Sequence, residues 1–364
     1  MVEITRAFIT GGAGFIGSRL AVSLKKAGVD VSCYDNFLPQ VHLGNTDTRR
    51  ILKDAGVEVI VGDVRDADAL SLAVSRTKPQ IVYHLAAETG TGQSHDFPVR
   101  YTDVNVLGTA HLVEVIRKAG PDVRRVVLAG SRSVYGEGAC VDQAGQLTPA
   151  VERLPKDLAR GDYAPKDKDG ATLLPVKTNA ECVVRPASIY ASTKLMQERV
   201  LRQGFWGSDV DVGVLRLQNV YGPGQSMNNP YTGVLSIFCR QIMEGKTLNI
   251  FEDGQITRDF VLVDDVVAAF VAMGCAASMP SDVVDIGLGK GITILDAARA
   301  LLVALGQDPG RIAITGNFRP GDIRHAIADN TRAANTLGWS PKVQIHQGLQ
   351  SLADWSRAYN RVMA

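Results

Sequence analysis

Tyr190 and Lys194 stand four residues apart in Ser188-Ile189-Tyr190-Ala191-Ser192-Thr193-Lys194. On a helix that spacing puts both side chains on one face, about one turn apart. A free phenol has a pKa of about 10 and is no base at neutral pH. A nearby ammonium stabilises the phenolate, and bringing the pKa to about 7 takes roughly 4 kcal/mol. So activated, the phenol could take the proton of an alcohol. The same spacing arises by chance in many helices, so the elements around it must carry the reading.

The chain opens with such elements. Arg6-Ala7-Phe8-Ile9-Thr10 reads as a short buried strand, and a helical pattern runs from Ser18 to Ala27. Between them lies Gly11-Gly12-Ala13-Gly14-Phe15-Ile16-Gly17, in which Gly11, Gly14 and Gly17 form Gly-x-x-Gly-x-x-Gly. Glycines there permit a tight turn, a close approach of backbone to a pyrophosphate, and close packing of helix on sheet. The amides of the helix N-terminus would hold the phosphates. A plain glycine-rich turn would lack the strand before it and the helix after it.

A second strand, Val29 to Tyr34, ends at Asp35-Asn36. An acidic side chain about twenty residues past the glycines accepts hydrogen bonds from the adenosine ribose and repels a 2′-phosphate. No arginine follows at once to offset it, so the expected cofactor is NAD rather than NADP. Val57 to Val61 leads into Gly62-Asp63-Val64, where Asp63 could meet the adenine amino group. The fourth strand, Ile81 to Leu85, ends in Ala86-Ala87, whose small side chains leave room for the cofactor. His84 reads as a packed strand histidine, with no metal partner beside it. Arg124 to Leu128 and Val212 to Leu217 complete six strands, ending at Ser131 and Gln218-Asn219. Ligands of such sheets bind at the strands' carboxyl ends, which makes Ser131 and Asn219 candidates.

Alternating strands and helices predict an α/β fold, a doubly wound parallel sheet of Rossmann type with a smaller C-terminal substrate-binding lobe. The expected boundaries are 1–216 for the NAD-binding part and 217–364 for the lobe, with elements at about 248–270 returning to the larger part. Residues 137–185 break the rhythm as a polar insertion, either a cap or interface element or a solvated surface loop. With 364 residues the chain can bury a large core. Its net charge of +1, with 21% charged residues, provides no electrostatic case for nucleic acid or an anionic membrane. The chain starts on a strand rather than a signal peptide, and no apolar run is long enough to span a bilayer. Five scattered cysteines point to a reduced, cytoplasmic protein.

Taken together, the motifs resemble the extended short-chain dehydrogenase/reductase family, and within it the nucleotide-sugar epimerases and dehydratases. The matching pieces are Thr10 to Gly17, His84-Leu85-Ala86-Ala87, Asn105-Val106-Leu107-Gly108-Thr109, Ser131-Arg132-Ser133-Val134-Tyr135-Gly136 and Tyr190 to Lys194. Asn219-Val220-Tyr221-Gly222-Pro223-Gly224 and Arg258-Asp259-Phe260 follow in the family's order. The stretches Ala87 to Ser94 and Gln218 to Gly233 (which includes Pro230 and Thr232) are similar to dTDP-L-rhamnose 4-epimerase relatives. Such relatives often carry a zinc-ribbon-like, cysteine-paired insertion at 137–185. Here Cys140 and Cys182 are isolated and no Cys-x-x-Cys occurs, so no metal is expected.

The resemblance implies roles. Tyr190 would be the base, Lys194 would hold the nicotinamide ribose and lower the tyrosine pKa, and Ser131 would bond the sugar hydroxyl and relay its proton. The cofactor would lie against Gly11, Gly14, Phe15, Ile16, Gly17, Asp35, Asn36, Asp63, Val64, Leu85, Ala86 and Ala87. Asn105 would brace the cofactor half, unless it merely caps a helix beginning near Val106. Thr89, Thr91, Ser133, Asn219 and Arg258 would meet the substrate, although Arg258 could instead pair with Asp253 or Asp259 at the surface. Arg319 and Arg324, in Arg319-Pro320-Gly321-Asp322-Ile323-Arg324, are both similar to the family's second phosphate contact, and the choice between them stays open. The resemblance also implies a homodimer, through the helices Val106 to Lys118 and Ala191 to Gln203.

In the family's 4,6-dehydratases the two residues after the catalytic hydroxyl are Asp-Glu, an acid–base pair. Here they are Arg132-Ser133; arginine cannot donate a proton near neutral pH and serine is a poor base. Dehydration is therefore not expected. What remains is C4 epimerisation of a UDP- or dTDP-linked sugar through a 4-keto intermediate. A 4-ketoreductase is the runner-up, decarboxylation of a nucleotide-linked glucuronate a weaker option, and an inert NAD-binding regulatory protein the reading from another class.

Overall fold

The computed structural model describes residues 3–42, 47–120, 122–229, 231, 233–319 and 321–363, so Pro230, Thr232 and Pro320 of the motifs above lie outside the described residues. Among the described residues the large sheet has seven strands: β1 (Arg6–Thr10), β2 (Asp30–Asp35), β3 (Glu58–Val61), β4 (Ile81–His84), β5 (Arg125–Ser131), β6 (Asp211–Leu217) and β7 (Val284–Ile286). They stand in the order β7-β6-β5-β4-β1-β2-β3, every neighbouring pair parallel.

The strands read as nearly continuous apolar runs because both faces of the sheet are covered. Successive side chains point to opposite faces. Ala7, Ile9, Ile81, Tyr83 and Val127 enter one core, packed against Leu20, Leu24, Val266 and Phe270. Phe8, Val82, Val126 and Leu128 enter the other, against Leu70, Leu112, Ile116 and Leu201. The helices Phe15–Lys26 and Val263–Gly274 thus lie on one side, and Ala67–Thr77, Gly108–Ala119 and Ile189–Gly204 on the other. This is the expected doubly wound fold.

Two differences concern the second half. Strand β7 was not anticipated, since three residues leave no readable period. The returning elements coincide only in part with the expected 248–270. Leu248–Ile250 pairs with Ile312–Ile314 outside the large sheet, whereas helix Val263–Gly274 and β7 are the parts that return. Helices Val234–Met243, Ile294–Ala304 and Ile345–Met363 surround a separate core of Leu235, Phe238, Leu248, Leu301, Leu349 and Leu352. A small sheet matters more for chemistry. Thr257–Leu262 pairs with Asn219–Tyr221, Gly291–Thr293 and His325–Ala326, which brings Asn219, Arg258 and the loop ahead of His325 together.

The 137–185 insertion is a folded element. Cys140–Val141 pairs with Leu174–Pro175, and Cys140, Ala150 and Leu173 form its own small core. Its tight turns are stapled by Asp142 and Asp167, whose carboxylates accept backbone amides two and four residues on.

Beneath the turn that follows Ser131, Tyr135 donates to both oxygens of Asp285, at 2.8 and 3.0 Å. Arg216 lies over the Tyr135 ring and is forked onto Glu198 at 2.9 and 2.7 Å. Burial pushes the Asp285 carboxyl up to about 7. Between the ordinary carboxylate range and pH 7 the folded protein therefore keeps a proton that the unfolded chain releases. This contribution to stability is full at acid pH and is lost as pH rises through about 7. Thermal melts of Asp285→Asn are expected to fall less between pH 5 and 8 than those of the parent; an equal fall would contradict this.

Candidate active site

Backbone geometry explains the glycines of the first loop. Gly11 has φ +68°, and a Cβ there would lie 2.7 Å from the Ala86 backbone nitrogen. A side chain at Gly17 would collide with the Gly11 carbonyl. Gly14 is the N-cap of helix Phe15–Lys26, so Phe15 and Ile16 form its first turn and its free amides face the loop. Asp35, at the end of β2, accepts from the amides of Ala13 at 3.0 Å and Phe37 at 2.9 Å. It therefore fastens the glycine loop to the second strand while staying next to it. Asn36 donates to Asp63 at 2.9 Å. Arg65 grips the same carboxylate and, by hydrogen bonding, holds it down at about 2. Val64 packs where a side chain at Gly108 would otherwise sit. Leu85 and Ala86 continue β4 past the loop, donating to the Thr10 carbonyl and hydroxyl at 3.0 and 3.4 Å, with Ala87 half-buried beside them. A narrow cradle of amides with a buried carboxylate at its edge fits a dinucleotide.

His84 is buried between the hydroxyls of Thr10 and Thr109, at 2.7 and 2.9 Å. Burial lowers its pKa to about 3, so it is a neutral packed histidine. Among the described residues, no three His, Cys, Asp or Glu side chains converge as metal ligands.

Ser188 caps the helix Ile189–Gly204 by accepting from Ala191 N, which starts the helix one residue ahead of Tyr190. Ser131, at the carboxyl end of β5, sits beside the phenol, and Ser131 Oγ lies 2.8 Å from Ser133 Oγ. Burial pushes the Tyr190 pKa up; the neighbouring Ser131 hydroxyl and the Arg132 charge oppose it. Here the structure differs from the expected pairing. Lys194 reaches along its own helix to Gln197 Oε1 at 2.5 Å, and burial lowers its pKa to about 8. Gln197 is in turn bonded to Thr109 at 2.9 Å. The positive charge that favours the phenolate in this arrangement is that of Arg132, which stands where the dehydratases have an acid.

Asn105 is no helix cap. It lies inside a π-helical turn, Thr102–Leu107, and bridges Glu88 N at 2.7 Å, Glu88 O at 3.1 Å and Thr193 Oγ1 at 2.9 Å. It ties the chain after Ala87 to the Tyr190 helix. Tyr101 sets its ring edge-on to Tyr190, centroids 6.3 Å apart, and donates to the Thr89 carbonyl at 2.7 Å. Thr91 opens the next short helix, Thr91–Asp96.

On the lobe side, the side-chain oxygens of Gln218 and Asn219 are buried without a hydrogen-bond partner. Arg258 is buried and pairs with Asp322 at 2.5 Å, not with Asp253 or Asp259. Asp259 is consumed by the amides of Leu288, Gly289 and Ala328. Arg324 is likewise consumed: it is forked onto Asp253, bonded to Glu252 at 2.7 Å and nearly buried. Its donors are thus occupied within the protein. Arg319 is exposed and lies over the Phe251 ring at 4.7 Å, its fork unpaired among the described residues. Arg132 links the two halves. Burial and the Arg258 charge push its pKa down to about 9, while Asp322, Tyr190 and Glu137 oppose the shift. A cavity of about 600 Å³ lies against the insertion, lined by Tyr135, Glu137, Arg153, Ala187, Arg319 and Asp322 among others.

The sequence profile described as the NAD dependent epimerase/dehydratase family matches residues 7–155 and 163–287. The chain belongs to that family. Among its relatives, the dTDP-L-rhamnose 4-epimerase of Burkholderia thailandensis is 39% identical, the match covering 98% of this chain and 96% of that protein. The UDP-glucose 4-epimerase of Mycolicibacterium smegmatis is 32% identical over 97% and 98%. The solved UDP-glucuronic acid 4-epimerase of Bacillus cereus, in complex with UDP-glucuronic acid and NAD, superimposes with a TM-score of 0.80 at 25% identity, covering 97% of this chain and 99% of that one. For a member of this family, NAD is the cofactor.

Proposed function

We propose that the chain catalyses C4 epimerisation of a nucleoside-diphosphate sugar, UDP- or dTDP-linked, through a transient 4-keto sugar. The observation that carries the reading is the junction at Arg132. Ser131 and Tyr190 lie on one side of it and the Arg258–Asp322 pair on the other, with arginine and serine where a dehydratase needs an acid and a base. The relatives named above, all 4-epimerases, support the same reaction.

NAD, when bound, accepts the C4 hydride and later gives it back. Tyr190 takes the C4 hydroxyl proton, with the neighbouring Ser131 as relay. Arg132 stabilises the phenolate against its burial, and Lys194, released from Gln197, serves the nicotinamide ribose. Arg258 and Arg319 hold the diphosphate by two-pronged hydrogen bonds. Asn219, Thr89, Thr91 and Ser133 complete the substrate walls. A firm grip on the diphosphate leaves the keto sugar free to turn, so that hydride returns to its other face.

The assignment of residues 1–216 to cofactor and 217–364 to substrate is part of the proposal, as is a homodimer in the cytoplasm. Met196 and Leu107, exposed on or beside the two helices expected to pair, support the dimer. All five cysteines are free thiols, which suits a reducing compartment. Among the described residues no helix is long and apolar enough to cross a membrane.

The test is to denature the purified protein, identify the released cofactor, and screen UDP- and dTDP-sugars for 4-epimers without added NAD. Released NAD and an interconverting pair of C4 epimers are expected. Net reduction that depends on added NADH would replace this reading with a ketoreductase.

A further inference from the structure

We propose that Arg153, contributed by the 137–185 insertion, is a positioning residue for the diphosphate arm of the site, acting on Arg258 through Asp322. The inference rests on the nucleotide-sugar reading above and assigns the insertion a task within it.

The Arg153 side chain is 4% exposed, enclosed among three elements. Its Nε donates to Glu137 Oε1 at 2.8 Å, one Nη to Glu252 Oε1 at 2.9 Å, and the other Nη to the Asp322 carbonyl at 2.8 Å. The three acceptors come from the turn after Ser131, the lobe, and the loop between Arg319 and Arg324. Each is held by a second bond. Glu137 Oε2 accepts from Arg324 N at 2.7 Å, and Glu252 Oε2 from the Arg324 guanidinium at 2.7 Å. Asp322 uses its side chain to hold Arg258 at 2.5 Å. A planar fork with donors in fixed directions can join three acceptors in this way; a lysine ammonium cannot hold them in one plane.

The consequence is directional. The backbone of Asp322 is fixed by the insertion, and its carboxylate therefore presents Arg258 in one orientation. Removing Arg153 would leave buried Glu137 without a cationic partner and Glu252 with Arg324 alone, so stability and positioning must be separated experimentally.

The test uses the full chain with its bound cofactor and compares Arg153→Lys, Arg153→Met and the double variant Arg153→Met with Glu137→Gln. The double variant removes one stranded charge while keeping an acceptor for Arg324 N. The readouts are KM and kcat for the best UDP- or dTDP-sugar, Kd for UDP and dTDP by calorimetry, NAD content and Tm. The expected result for Arg153→Met is a rise in KM and Kd of about tenfold or more, with kcat and NAD content within about twofold of the parent. Lysine should fall between. The double variant should recover Tm but not KM. Wild-type KM and Kd in folded Arg153→Met, or a KM that recovers together with Tm in the double variant, would overturn the proposal. Failure of the parent protein to bind UDP or dTDP would instead overturn the nucleotide-sugar reading, and this inference with it.

Discussion

Replacing Tyr190 with phenylalanine is expected to cut kcat by about 10²- to 10⁴-fold, the range of a lost general base, while the Kd for UDP or dTDP stays within about twofold. The ring keeps its edge-on packing against Tyr101, so the variant should fold normally. Only the hydroxyl that meets Ser131 is removed. Steady-state kinetics beside calorimetry would check both halves. Undiminished turnover would remove Tyr190 from the role of base.

Two arginines five residues apart should behave in opposite ways. Arg324→Met deprives Asp253 of its forked partner and buried Glu252 of one of its two arginines. Breaking a buried ion pair from one side costs about 3–5 kcal/mol, or roughly 4–7 °C in Tm for a chain of this size. Arg319→Met removes an exposed side chain from the face of Phe251 and should leave Tm nearly unchanged. If Arg319 meets the diphosphate, its loss raises KM by about tenfold. Melting curves and KM values for the pair decide it, and the reverse pattern would exchange their roles.

The difference between these arginines marks the limit of what could be read from the chain alone. The glycine loop, Asp35, Ser131 and Tyr190 were legible because their chemistry is written in local spacing: a strand, a turn and a helix start fix where each side chain stands. Strands β1 to β6 were legible because burial on both faces leaves an apolar run. β7 is too short to show one. Lys194 was placed on the correct helical face, yet its ammonium turns toward Gln197, a choice set by side-chain direction rather than spacing. Arg258 finds Asp322, 64 residues away, and Arg153 finds Glu252, 99 residues away. Charge partners so distant in sequence have no local signature. A weak signal did exist for Asp322, which follows Arg319 in a short turn-forming stretch; Arg153 had none, since the insertion reads as polar throughout. The insertion's folding depends on asparagine-like turns at Asp142 and Asp167, and those turns are visible only once the backbone is known.

The central claim is that one hydride leaves C4 and returns to C4 of the same sugar. A UDP- or dTDP-hexose carrying deuterium at C4, turned over to equilibrium in ordinary water and followed by NMR, tests it most directly. Two C4 epimers that both retain the deuterium are expected, with no solvent hydrogen entering C4 or C5. Loss of the C4 label, or solvent hydrogen at C5, would contradict it.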